Sequence, residues 1–317
     1  MNTPLRTAVI GTGYLGRFHA QKYAALDEAE LIGVVDVNPD NARRVANECN
    51  TQAFTNHRDL FGKVDAVSIV VPTQLHYSIA KDFLEQGIHV LLEKPMTVTV
   101  AEADELIALA SKNKLVLQVG HLERFNSAVL ALKPVLKTPQ FIESHRLAPF
   151  NPRGADVNVV LDLMIHDIDI IQNLVHSPVK HIDANGVSVL TNQHDIVNAR
   201  ILFESGCVAN VTASRVSMKA QRKMRIFQHD AYISVDFQDK VLSVHRKGDK
   251  EMFPGIPEIV SEESIFENSD AILAETRAFI AAIQNGTQPL VSGVDGRQAL
   301  ATAIQISNLL NQSPTQA

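Results

Sequence analysis

The sequence predicts an α/β protein in two parts: an N-terminal doubly wound parallel sheet, then a C-terminal α+β domain with a large open sheet, mixed or antiparallel. Two observations predict it. Up to His121 short runs rich in Val, Ile and Leu alternate with helix-like patterns, as strands joined by crossover helices do. Beyond His121 the alternation stops, and β-rich runs follow one another with turn residues between them. The predicted domains are 1–121 and 122–317, and 317 residues is a natural length for two.

The N-terminal runs lie at 7–10, 31–37, 66–71, 89–93 and 115–119, each too short for a typical helix. They are apolar on both faces, which suits strands covered on two sides. The segments 75–86 and 100–112 have helical apolar spacing and polar outer faces, so they read as crossovers. After His121 come a helix-like stretch at 126–136, a strand at 141–147, a loop holding Pro149, Pro152 and Gly154, and a long helix at 157–175. Strands follow at 196–203, 208–216, 224–227 and 232–237. The segment 255–269 reads as the most loop-like and mobile part of the chain. Helices at 271–285 and 296–312 close the sequence and are free to pack back on the first domain.

Composition excludes several functional classes. The chain is 45% hydrophobic and 20% charged, with a formal net charge of -6. Together with a pI near 6.0, this argues against a partner that is nucleic acid or an anionic membrane surface. Cys49 and Cys207 are in neither a redox nor a zinc spacing, so reduced, structural thiols are expected. There is no signal-peptide pattern and no apolar run of membrane-spanning length, and a cytoplasmic location is expected.

Gly11-Thr12-Gly13-Tyr14-Leu15-Gly16 follows the first apolar run and opens a helix. In that context Gly11 permits a tight turn, Gly13 lets a pyrophosphate approach the backbone, and Gly16 lets helix and strand pack closely. The helix N-terminus then faces the phosphates, with Tyr14 and Leu15 in its first turn. Asp36 ends the second run about 20 residues beyond Gly16, the interval expected of an acid that accepts hydrogen bonds from the adenosine ribose hydroxyls. Val37, Asn38 and Pro39 follow it, with no arginine for a ribose phosphate, so the cofactor expected is NAD rather than NADP. The plainer reading is a glycine helix start beside a solvent-facing aspartate.

Glu93-Lys94-Pro95 ends the run at 89–93 and places a lysine at the carboxyl rim of the sheet, where ligands sit in such folds. Alone, Lys-Pro there is as readily a strand stop. Asp162 and His166 lie one helical turn apart on one face. A buried aspartate could orient the imidazole and stabilise the protonated form that a general base acquires; the structural alternative is an ordinary helical Asp/His contact. Asp169 extends the same face, but no fourth ligand or metal motif accompanies it, and no metal is expected.

Taken in order, these residues resemble the glucose-fructose oxidoreductase and inositol dehydrogenase family (Gfo/Idh/MocA). The resemblance rests on the glycine turn with Asp36, Val71-Pro72-Thr73 followed by His76, Glu93-Lys94-Pro95, Gly120-His121 with Arg124-Phe125, and Asp162 with His166. It implies a Rossmann domain followed by an α/β domain whose open sheet serves oligomer contact, hence a homodimer or homotetramer. It implies that Pro72, Thr73 and His76 lie near the cofactor, that Glu93 helps hold the nicotinamide side, and that Lys94 contacts both the reacting hydroxyl and the nicotinamide region of the cofactor. His166 is then the acid/base candidate, although the choice of base between Lys94 and His166 stays open. The activity implied is NAD-dependent dehydrogenation of a secondary alcohol.

For the substrate, Arg124, Arg153 and Arg215 are candidates alongside Lys94, Asp162 and His166. Arg215 opens a basic segment with Lys219, Arg222, Lys223 and Arg225, suited to a diphosphate or, equally, to a solvated turn. The segments 120–126 and 162–169 resemble the branch of the family that oxidises UDP-N-acetylglucosamine to the 3-keto sugar. The competing readings are a polyol or inositol dehydrogenase, an NAD-using glycosidase, and a non-catalytic NAD-binding regulator.

Overall fold

The computed structural model of the chain describes residues 3–151, 158–266 and 269–312. It divides into two compact units, Met1–Phe125 with Asp270–Leu300, and Asn126–Ser269 with Ala301–Ala317. In the first unit β1 (Leu5–Ile10), β2 (Ala29–Val35), β3 (Gln52–Phe54), β4 (Ala66–Ile69), β5 (His89–Glu93) and β6 (Leu117–Gly120) form one sheet in the order β3-β2-β1-β4-β5-β6. Every neighbouring pair is parallel. The crossover helices are α1 (Tyr14–Ala24), α2 (Pro39–Glu48), α3 (His76–Glu85) and α4 (Val100–Lys112). β4 is buried along its whole length, which is why it reads as an uninterrupted apolar run. The edge strand β3, largely exposed, carries no such run and is invisible to periodicity. Helix starts are locally encoded: Asn38 caps α2 ahead of Pro39, and Thr99 and Glu102 form a capping box on α4.

In the second unit the helix expected over 126–136 is cut short. α5 covers only Ser127–Leu130, and turns continue toward Pro134, which cannot donate to a helical ladder. The eight-stranded sheet contains β7 (Pro139–Leu147), β8 (Val179–Val187), β9 (Ile196–Phe203), β10 (Val208–Ser214), β11 (Gln221–Gln228), β12 (Ala231–Asp236), β13 (Val241–Phe253) and β14 (Ile256–Ile265). Their order is β14-β13-β12-β11-β7-β10-β9-β8. β7 and β10 pair in parallel and their other neighbours are antiparallel, so the sheet is mixed. α6 (Ile165–Val175) covers one face, meeting the side of β7 that carries Ser144 and Arg146. On the other face Phe141, Phe227, Tyr232 and His245 form a cross-strand ladder, with ring centroids 5.8, 5.1 and 5.2 Å apart in turn.

One expectation is overturned here. Residues 255–269 are not principally loop: β14 occupies Ile256–Ile265 and pairs antiparallel with β13 from Val241 to Phe253. Its Ile-Pro-Glu-Ile-Val-Ser-Glu-Glu-Ser-Ile has no clean alternation because, as an edge strand, it buries little on either face. The ladder to β13 makes it a strand.

Two helices end the chain. α7 (Ala271–Asn285) belongs to the first unit and places Ile280 among Val9, Tyr23 and Val34, and Phe279 against Ala66 and Leu91. Burying each such side chain contributes about 1.5–3 kcal/mol, so a late segment completes the core built by the first residues. α8 spans Gly293–Gln312. Among the described residues no helix is long and apolar enough to cross a membrane. Cys49 and Cys207 are both free thiols, and burial pushes the Cys207 thiol up to about 11.

Candidate active site

The strand order of the first sheet reverses between β1 and β4, and a crevice at such a switch point is where ligands bind in open parallel sheets. The glycine turn sits at the end of β1. Gly11 has φ +94°, and a Cβ there would lie 2.2 Å from the Val70 carbonyl oxygen. A Cβ at Gly16 would lie 1.9 Å from the Gly11 carbonyl oxygen, so only glycine allows α1 to start this close to the strand. At Gly13 a Cβ would meet no protein atom within 4 Å. The fold does not account for a glycine at that position, and the open space beside it would admit a pyrophosphate against the backbone. Gly13 caps α1 without a side-chain hydrogen bond, and no acidic residue lies in the first turn. The leading N–H groups, with Tyr14 exposed and Leu15 beside it, are left available to an anion.

Asp36 follows β2 and is held from one side. Its Oδ2 accepts from the Thr12 backbone N–H at 2.9 Å and the Thr12 hydroxyl at 2.8 Å, while Oδ1 accepts from the Asn38 N–H at 2.9 Å. Thr12, fully buried inside the glycine motif, is a positioning residue that the motif alone does not reveal. The cradle at Gly13, the uncapped helix start and the oriented carboxylate together fit NAD.

The rim of β4 and β5 holds the next candidates. Pro72 is exposed and caps a short turn over Thr73–Leu75. His76 is buried, with Nε2 2.8 Å from the Val71 carbonyl oxygen and Nδ1 2.9 Å from the Pro95 carbonyl oxygen. Burial lowers its pKa despite those carbonyls, and a neutral ring can donate to only one of them. His76 is thus packed between the loop after β4 and the loop after β5. Lys94 is half-buried and precedes Pro95 across a cis peptide bond. Its backbone N–H donates to Glu93 Oε2 at 3.2 Å. Gly120 makes room for that carboxylate, since a Cβ would lie 2.8 Å from Glu93 Oε1. His121 is fully buried and pushed down to about 3, by burial first and then by the positive charges of Lys94 and Arg124. Arg124 is also buried and donates to the Leu290 carbonyl at 3.2 Å, so at least part of its guanidinium serves the fold.

The second unit holds Asp162 and His166. Asp162 lies in a π-helical turn, Val160–Met164, and His166 in the first turn of α6. π-turns insert one extra residue into a helix and occur often at functional sites. Both side chains are half-buried, so Asp162 is more open than the buried partner expected from spacing. The fully buried acid is Asp167, which accepts from Arg146 Nε at 2.6 Å and Ser144 Oγ at 2.8 Å and anchors the helix one residue after His166. Sequence reading missed that pair because its members lie on separate elements. Arg215 is turned inward: its Nε donates to Asp195 at 2.9 Å, and a second nitrogen to the His194 carbonyl. Asp195 is buried, which opposes ionisation, but N–H groups of Leu190, Thr191 and Val189 outweigh that and hold its pKa low. Lys223 pairs with Asp236 and Arg225 with Glu143, and Lys219, Arg222 and the Lys223–Asp236 pair are among the residues lining a surface cavity of ≈ 540 Å³. Arg153 lies outside the described residues.

Residues 5–121 match the model of an oxidoreductase family with an NAD-binding Rossmann fold, and residues 141–234 match the GFO/IDH/MocA C-terminal domain. The chain is 42% identical to a UDP-N-acetylglucosamine 3-dehydrogenase of Acidithiobacillus ferrooxidans, covering 95% of this chain and 96% of that one. A crystal structure of a UDP-N-acetylglucosamine 3-dehydrogenase from that organism superposes with a TM-score of 0.91 over 98% of both chains, at 39% identity. A myo-inositol 2-dehydrogenase of Thermotoga maritima is 26% identical over 93% of each chain. At 19% identity, a scyllo-inositol dehydrogenase from Lactobacillus casei, solved with NAD(H) and scyllo-inositol, shares the fold with a TM-score of 0.80 over 98% of both chains.

Proposed function

The chain belongs to the Gfo/Idh/MocA family of NAD-binding oxidoreductases, and from that premise we propose that it oxidises the 3-hydroxyl of UDP-N-acetylglucosamine to the 3-keto sugar. The observation that carries this reading is the 42% identity to a dehydrogenase of that substrate across nearly the full length of both chains. The site chemistry supports it. His166 takes the proton of the sugar hydroxyl, and Asp162 steadies the imidazolium that results. Lys94 donates to the same oxygen and offsets its developing negative charge. NAD, when bound, supplies the hydride acceptor. Gly11, Gly13 and Gly16 shape the seat for its pyrophosphate, Asp36 accepts from the adenosine ribose, and Pro72, Thr73, His76 and Glu93 bound the nicotinamide side. Of the basic segment, Lys219 is better placed than Arg215 to meet a diphosphate, because it lines an open surface cavity whereas Arg215 is buried against Asp195.

The direct test is NADH formation by purified protein with NAD and UDP-N-acetylglucosamine, against inositol, free-sugar and NADP controls, with products identified by mass. NADH together with a product two hydrogens lighter supports the reading. NADH from inositol alone redirects it to a polyol dehydrogenase, and a cleaved sugar without net NADH to a glycosidase. The exposed Phe253, Ile256 and Ile259 on β13 and β14, with the aromatic ladder beyond them, support a homo-oligomer assembled through this sheet. Sedimentation equilibrium showing only monomer would remove that proposal.

A further inference from the structure

Around Glu93 lies a buried group of ionisable side chains, two of which, His19 and Glu275, the proposed chemistry does not use. His19 on α1, Glu93 on β5 and Glu275 on α7 each bring a nitrogen or carboxylate oxygen within 4.8 Å of the others. Glu275 and His19 are 0% and 1% exposed. His19 Nε2 lies 3.3 Å from Glu93 Oε1, off the line of a hydrogen bond. Its Nδ1 faces Ser68 Oγ at 3.3 Å, and that hydroxyl meets the Tyr23 hydroxyl at 2.8 Å. Neither carboxyl oxygen of Glu275 has a hydrogen-bond partner among the described residues.

Two carboxylates this close and sealed from water cannot both be ionised, because burial penalises each charge and each charge repels the other. An ionised carboxylate at Glu275 with no hydrogen-bond partner would be costly to bury, whereas a neutral acid avoids most of that cost. Glu93 has the better claim to the charge, since its Oε2 already accepts from the Lys94 N–H and His19 faces its Oε1.

We propose that Glu275 is a positioning residue: a buried neutral acid that, by staying uncharged beside Glu93, leaves Glu93 on the Lys94 N–H and so keeps the Lys94 turn in its reactive place. Burial and the neighbouring Glu93 act in the same direction on Glu275. The other titratable or charged groups around the pair are His19 and Tyr23 from α1, His76 from α3, Lys94 after β5, and His121 and Arg124 after β6. When the Glu275 proton leaves at high pH, the second negative charge drives the carboxylates apart. Glu93 then no longer holds the Lys94 backbone.

The part of this inference that concerns turnover rests on the dehydrogenase reading; the part that concerns the proton does not, and the two are measured separately. Infrared difference spectra of wild type against Glu275→Gln, taken without substrate at neutral pH, are expected to show the carbonyl stretch of a protonated carboxyl in the wild type only. No such band would overturn the proposal, as would a stoichiometric divalent metal in the purified protein that His19→Ala abolishes. In turnover, Glu275→Ala is expected to lower kcat by about 10²-fold, the effect of displacing a reacting group by roughly 1 Å, with NAD affinity little changed. Glu275→Gln, which keeps shape and neutrality, is expected to restore most of that loss and to lack the alkaline fall in kcat/KM expected of the wild type. An unchanged alkaline limb in Glu275→Gln, or an Ala variant as active as wild type, would remove Glu275 from this role.

Discussion

At the scale of single residues, the proposed chemistry divides between Lys94 and His166. Replacing either with alanine is expected to lower kcat by about 10²–10⁴-fold, the usual worth of a positioned acid, base or donor, while NAD binding followed by fluorescence titration stays largely intact. Whichever variant loses the acidic limb of the kcat/KM profile identifies the base, and full turnover in both would refute the assignment. Asp36→Ala is expected to bring the kcat/KM values for NAD and NADP closer together, because it removes the carboxylate that repels a ribose phosphate. An unchanged ratio would assign Asp36 to holding Thr12 alone. Gly11 and Gly16 were legible in the sequence because the turn from strand to helix leaves no room for a Cβ, whereas the role proposed for Lys94 came from the family resemblance. Thr12 was not legible, since its contribution depends on a carboxylate that folding brings to it.

At the scale of elements, the helix carrying His166 is held by its neighbour in sequence. The Arg146 and Asp167 side chains are 4% and 1% exposed, and the pair joins β7 to α6. Asp167→Ala strands the guanidinium in the interior and is expected to destabilise the protein by about 3–5 kcal/mol in denaturant titrations. A loss below about 1 kcal/mol, the value of a surface pair, would show that α6 is anchored by its apolar face instead. The extent of α4 was readable because its capping box and apolar stripe agree. The π-turn before α6, the short α5 and the strand β14 were not: each is fixed by what it packs or pairs against, and none leaves a distinct period.

At the scale of the whole molecule, buried ionisable groups tie stability to pH. Burial and then Glu93 hold the Glu275 carboxyl well above its ordinary 4.5, so the folded chain keeps a proton there that the unfolded chain has released. This contribution is fully present below pH 4.5 and is lost as pH rises toward the folded value. The stability of wild type relative to Glu275→Gln is expected to decline as pH rises above 4.5 in chemical denaturation, and a pH-independent difference would mean that Glu275 is not protonated in the folded state.

By itself the sequence determined the parallel first sheet, the cofactor class and the order of the candidate site residues, and left the second sheet open between mixed and antiparallel. These follow from periodicity, from glycine's backbone freedom and from short intervals, all properties of residues near one another in the chain. Only the tertiary structure decided that α7 completes the core around Val9 and Ala66, that Arg215 is spent on Asp195, and that Glu275 meets Glu93 and His19. An apolar stripe records that a face is buried, and an acid records that it needs a partner. Neither records which distant segment provides one, because that choice is made by the packing of elements whose positions the chain specifies only when folded.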